Sequence, residues 1–237
     1  RVAVVISLIV CVIFGSQFNA NWSEILLMFN AQSFGTTDPQ FGLDNGFYVF
    51  VLPGLKLVLA AVAMLLGVGL VFSVVTHVLM GGIRITMPVN GRGLFSITKR
   101  CRRQLGIWLM LNMFAWAVRQ MIGVFDQLTV QGSRITGASY TAVHANIPVT
   151  FNMAALTAIL GVVLGIWLMR SHTLEGQASI GVRASAALKA WRVPVTSIAV
   201  VVVVGLVLTV AWPVLLQRFR VNPNAQEMES TYIQRNI

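Results

Sequence analysis

Asn112, Arg119 and Asp126 recur at intervals of seven in the run LGIWLMLNMFAWAVRQMIGVFDQL, so on a helix they lie along one stripe. An amide, a guanidinium and a carboxylate in an otherwise apolar segment admit two chemistries. They can line a water-filled path for an ion or substrate, or they can pair with one another or with a neighbouring helix to fix packing. Arg119 carries the largest leverage in either case. A second set lies in DPQFGLDNGFYVFVLP, residues Asp38 to Pro53. There Asp38 and Asp44, with Gln40 and Asn45, can offer oxygens to a hard cation such as calcium, which takes about six to eight. They can also dock another domain, or cap turns and helices, as short acidic side chains do. The spacing matches no EF-hand loop, and capping is the preferred reading. No serine nucleophile motif, phosphate-cradling glycine loop, HExxH or paired carboxylates occur, so no enzyme, cofactor or metal site is expected.

The elements that position these residues follow from composition. The chain is 57% hydrophobic and 10% charged, against about 25% charged in soluble domains, which makes it a membrane protein. A crossing helix needs about 20 apolar residues. Five stretches qualify, roughly residues 2–18, 55–80, 105–128, 147–169 and 193–216. The expected architecture is all-α, a multi-pass transmembrane helix bundle over residues 1–217 followed by the start of an extracytoplasmic segment at 218–237. The chain opens on Arg1 and stops in a polar segment that has only begun, so a piece of a longer protein is expected.

Orientation follows from lysine and arginine, which accumulate in cytoplasmic loops. Arg84, Arg92, Lys99, Arg100, Arg102 and Arg103 fall between the second and third spans, and Arg170, Arg183, Lys189 and Arg192 between the fourth and fifth. The segment from Asn19 to Pro53 holds Glu24, Asp38 and Asp44 with no lysine or arginine. The N-terminus is therefore expected in the cytoplasm and the C-terminus outside. The net charge of +10 reflects topology, and with no aromatic-interleaved basic groove no nucleic-acid partner is expected. The KRCRR run, Lys99 to Arg103, is placed to touch anionic lipid headgroups.

Outside the membrane, Trp22, Ile25, Leu26, Met28 and Phe29 fall mostly on one side of a helix over about residues 22–31, too short to span, which predicts an outer-face interfacial helix. A helix from Asn45 to Met80 would be about 54 Å long against a hydrocarbon core of about 30 Å. Pro53 is expected to break it at Leu52–Pro53, leaving Phe47, Tyr48 and Phe50 as an interfacial belt. Gly161 and Gly165 form a small-x-x-x-small pattern that permits close helix approach, and Ala211-Trp212-Pro213 predicts an anchor and a helix terminus. Cys11 and Cys101 sit in unlike surroundings, and no disulfide is expected.

The stretches SFGTTDPQFGLDNGFYVFVLP, GGIRI, TGASYT and AWPVLLQRFRVNPNAQEMESTYIQRNI together resemble uncharacterised protein family 0182, bacterial integral membrane proteins. The resemblance implies further spans before Arg1 and a large extracytoplasmic domain after Ile237, and carries no reaction. The expected role is a bacterial inner-membrane module that anchors that domain in the cell envelope, within the lipid bilayer and as part of an oligomer or envelope complex. The alternative is a transporter or channel running past Asn112, Arg119 and Asp126.

Overall fold

The computed structural model describes residues 12, 15–16, 20–85, 95–129, 137–171 and 180–236, with the backbone alone for 84–85, 95–96, 180–191, 233 and 235–236. The expected span at 2–18 and Cys11 lie almost wholly outside the described residues. Among the described residues four helices are long and apolar enough to cross a membrane: Phe47–Leu79, Lys99–Leu128, Ala142–Arg170 and Arg192–Val221. Each overruns the apolar stretch that announced it, because hydropathy marks only the part that suits hydrocarbon while backbone hydrogen bonding continues beyond it. Their regular parts are α1 (Leu52–Leu79), α2 (Lys99–Gly123), α3 (Ile147–Arg170), α4 (Ile180–Leu206) and α5 (Trp212–Leu216), and α6 (Ala225–Asn236) follows. Strands β1 (Ile83–Ile85) and β2 (Phe95–Ile97) pair antiparallel, Ile83 opposite Ile97, as a small exception to an all-α chain. α4 begins well inside the expected loop from Arg170 to Arg192, which is therefore partly helix: its alanines favour continuation.

Four π-turns occur among the described residues: Phe47–Val51, Ala142–Asn146, Val207–Ala211 and Gln217–Val221. Two residues past each stands a proline, Pro53, Pro148, Pro213 and Pro223 respectively. A proline lacks the N–H for an α-helical bond, and its ring crowds the carbonyl four residues back. The residue just before it reaches five residues back instead, Leu52 to Phe47, Ile147 to Ala142, Trp212 to Val207 and Asn222 to Gln217. The extra residue in that wider ring moves the crowded carbonyl aside. The break expected at Leu52–Pro53 takes this form. The helix terminus expected at Ala211-Trp212-Pro213 does not occur, because the π-turn makes room and the helix continues through Pro213 to Val221.

Residues 1–62 and 63–237 are separate compact units. In the first, residues 20–29 are helical, two residues earlier than expected at either end, and Asn30 closes the helix by donating its side-chain amide to the Leu26 carbonyl at 2.8 Å. This helix crosses the start of α1 at Gly54, where an added Cβ would stand 2.8 Å from Met28 Cβ and 2.9 Å from the Glu24 carbonyl.

In the second unit α2 and α3 form the most extensive helix pair. Gly106, Gly161 and Gly165 are all buried between them, and a Cβ at Gly165 would lie 2.9 Å from the Gly106 carbonyl. The small-residue pattern thus does what its spacing predicted. Gln120 donates to Thr157 across the pair at 3.2 Å. On its other flank α2 meets α1: Trp108 fills the space over Gly69, and His77 shares a 3.0 Å hydrogen bond with Gln104. Thr98 caps α2, and a small core of Ile97, Cys101 and Leu105 packs with Leu70, Ile83 and Leu168. Cys101 is a free, buried thiol.

Candidate functional site

The densest long-range side-chain chemistry gathers where the helix leading into α3 begins. Ser139 opens it, its hydroxyl accepting from the Ala142 N–H at 3.2 Å and its carbonyl from Val143 at 3.1 Å. The Tyr140 N–H is one of the donors that a helix start leaves unsatisfied. Its acceptor comes from α6, Glu229 Oε2 at 3.1 Å, from 89 residues away in sequence. A carboxylate at a helix N-terminus also meets the favourable end of the helix dipole. Beside it the Thr141 hydroxyl donates to Gln217 Oε1, and Gln217 Nε2 donates to Asn222 Oδ1 at 3.1 Å.

Aromatic contacts reinforce this clamp. The Tyr140 and His144 rings stack at 4.1 Å and 14°, and Tyr232 of α6 meets the Tyr140 ring edge-on at 5.8 Å. The Tyr232 hydroxyl lies 3.4 Å from His144 Nδ1, which is 3.2 Å from the Tyr140 carbonyl, so a proton on Nδ1 serves that carbonyl. The Arg220 guanidinium stands 6.0 Å from the Tyr140 ring centre. α6 presents Ala225, Met228, Glu229 and Tyr232, one helical face, half-buried, while Gln226, Glu227, Ser230 and Thr231 are exposed. The chemistry of the cluster is cohesion: it fixes α6 against the start of the helix that leads into α3.

None of these residues belongs to the sets that the sequence singled out. The signals that mark them are the Ser139 cap in TGASYT and the i, i+3, i+4, i+7 spacing of α6. Asn112 does lie on the stripe, but its amide is spent on the Leu66 carbonyl at 3.1 Å and the Trp108 carbonyl at 2.8 Å, which ties α2 to α1. Arg119 is exposed. The α-helix ends at Gly123, so Asp126 sits in the 3-10 turn Phe125–Leu128, where a sevenfold repeat no longer keeps it on the stripe.

Asp38 and Asp44 organise the loop of the first unit. Asp38 is 7% exposed and accepts from the Gln40 N–H at 2.7 Å, the Phe41 N–H at 2.9 Å and the Tyr48 hydroxyl at 2.8 Å. Asp44 accepts from the Ser33 hydroxyl and from the N–H groups of Phe34, Gly35 and Gly46. A carboxylate has about four lone-pair sites, so most of the accepting capacity of both aspartates is taken up inside the loop. Among the described residues no three His, Cys, Asp or Glu side chains gather in a group that could hold a metal ion. The Ser33 hydroxyl, then the Phe34 and Gly46 amides, hold the Asp44 carboxyl down at about 2, against an ordinary 3.8. A carboxylate depressed on folding stabilises above its ordinary pKa, and that contribution is lost as pH falls through the folded value. The Phe34, Gly35 and Gly46 amides are therefore expected to stay protected from hydrogen exchange at pH 4 and to lose protection near pH 2. Asp44→Asn, with one accepting oxygen in place of two, is expected to expose part of the set already at neutral pH.

Four helices long and apolar enough to cross a membrane, with α6 clamped against the start of the third, suggest a membrane module. The profile of the Uncharacterised protein family (UPF0182) matches residues 1–237, and the chain belongs to that family. It is 99% identical over 237 residues to a UPF0182 protein of Bifidobacterium longum and 78% identical over the same length to one of Bifidobacterium adolescentis. A UPF0182 protein of Corynebacterium glutamicum is 33% identical over 237 residues. Each alignment takes in 100% of this chain and 22% of the relative, so the chain spans about a fifth of the proteins it matches. No solved structure matches it.

Proposed function

We propose that this chain is the part of an inner-membrane protein that anchors, and sets the orientation of, a large extracytoplasmic domain in the bacterial cell envelope, working in an oligomer or envelope complex. The observation that carries this reading is the clamp on α6. A simple tether has no use for a helix capped from across the fold by Glu229 and stacked through Tyr232, whereas a rigid outlet needs one. The basic residues between the second and third spans and between the fourth and fifth support a cytoplasmic N-terminus and an outer α6. On this reading residues 20–29 lie in the outer interface. The test uses the full-length protein in intact cells stripped of their wall. Added protease should release a large soluble fragment beginning near residue 237, while the spans stay in the membrane. Protection of that region until the membrane is broken would sink the proposal.

A transport path receives less support, because Asn112 is consumed in packing and Asp126 lies off the α-helix. Arg119→Ala is the variant that separates the two. As a helix-centre arginine costs roughly 2.5–3.5 kcal/mol of insertion and this one is exposed, the substitution should leave thermal unfolding and α2–α3 cross-linking unchanged or slightly improved. A flux across proteoliposomes that the same variant abolishes would favour transport over anchoring.

A further inference from the structure

The flank of α2 turned toward neither α1 nor α3 is built like the imprint of a phospholipid. Gly106, Met110 and Met113 face α3, and Trp108 and Asn112 face α1. Between those faces Arg100, Arg103, Ile107, Leu111 and Phe114 follow at intervals of three, four, four and three, which places them on one stripe, and all five are exposed. The stripe has two cations at its head and only apolar side chains after them, ending on Phe114 at 62% exposure. From Arg103 to Phe114 it runs about 16 Å at 1.5 Å per residue, close to half of an approximately 30 Å hydrocarbon core.

Among the described residues the elements at the head of the stripe also offer no counter-ion. The first turn of α2 contains no acid, and no described residue of β1 or β2 is acidic. Lysine and arginine at a helix N-terminus repel the positive end of its dipole, so Lys99, Arg100 and Arg103 stand where the fold gains most from an outside anion. An anion there with apolar chains directly below is an anionic phospholipid.

We propose that this flank holds one anionic phospholipid of the cytoplasmic leaflet, its headgroup phosphate on Arg100 and Arg103 and its acyl chains along Ile107, Leu111 and Phe114. The site rests on membrane insertion of the helices and is independent of the anchoring role. In the test, full-length protein in mild detergent is equilibrated with equal phosphatidylglycerol and phosphatidylcholine, and retained lipid is counted by native mass spectrometry. The wild type should retain phosphatidylglycerol selectively. Each arginine changed to glutamine should weaken that retention about five-fold, with roughly additive loss in Arg100→Gln/Arg103→Gln; Arg218→Gln, at the opposite end of the bundle, should not alter it. Equal retention by the double variant overturns the proposal. So does displacement of the lipid by millimolar inorganic phosphate at constant ionic strength, which would make this a site for free phosphate. Should the double variant fail to fold, a photoreactive residue at Phe114 in the otherwise unaltered protein decides: preferential labelling of phosphatidylglycerol over phosphatidylcholine supports the site, and equal labelling overturns it.

Discussion

Gly165→Ala is expected to separate α2 from α3 and to lower the thermal stability of the protein. The added Cβ would stand 2.2 Å from Met110 Cγ and 2.9 Å from the Gly106 carbonyl. Met110 can swing away, but the carbonyl belongs to the facing helix and moves only if that helix moves. Overpacking of this kind costs about 1–3 kcal/mol, against which the better helix propensity of alanine returns up to about 1 kcal/mol. The net is destabilising. Gly161→Ala should behave alike, since its Cβ would meet Met113 Cβ at 2.4 Å, an atom fixed to its own backbone. Gly67→Ala supplies the contrast. Only Asn112 Oδ1 lies near, at 3.9 Å, an ordinary contact, so the propensity gain should prevail and stability should rise slightly. The measurement is thermal unfolding in detergent, with cysteine cross-linking between α2 and α3 to separate loss of the pair from general unfolding. An unchanged midpoint in Gly165→Ala would mean that the two helices do not approach as closely as Gly106 and Gly165 place them.

That interface is legible in the sequence because a small-x-x-x-small repeat reports directly on how near two backbones can come. The four long apolar helices are legible for a similar reason: hydrophobicity over about 20 residues is a local property. The proline effects are half legible. Pro53 announces a disturbance, yet Pro213 suggests an end to a helix that in fact continues, because local sequence shows the missing donor and hides the π-turn that absorbs it. The polar residues mislead for a different reason. Asn112, Arg119 and Asp126 stand out by being polar in an apolar segment, but the role of a polar group is decided by its partners. The Leu66 carbonyl that binds Asn112 lies 46 residues away in sequence. Glu229 and Tyr140 are unremarkable in their own neighbourhoods, and only the fold brings them together.

The same long reach makes Glu229 the residue on which the outlet depends. In Glu229→Ala the Tyr140 N–H loses its acceptor at a helix start, a half-buried place where water replaces it only in part. Hydrogen bonds to a charged acceptor contribute about 1.5–3 kcal/mol. The free energy lost should appear mostly in docking of α6 and little in the long helices, because among the described side chains of α6 one face of four residues is half-buried. Amide exchange in Ala225–Asn236 is therefore expected to quicken by roughly ten- to a hundred-fold, with α2 and α3 unaffected. Glu229→Gln keeps an oxygen for the N–H while giving up the charge that the helix dipole favours, so it should fall between the wild type and alanine. Thr141→Val removes the neighbouring bond to Gln217 without touching Glu229. If the two bonds hold one rigid outlet, the double variant Glu229→Ala/Thr141→Val should lose less than the sum of the single losses, since α6 can come free only once. Strict additivity, or exchange in α6 that ignores both substitutions, would show that the segment is held elsewhere and that the clamp does not orient a domain beyond α6.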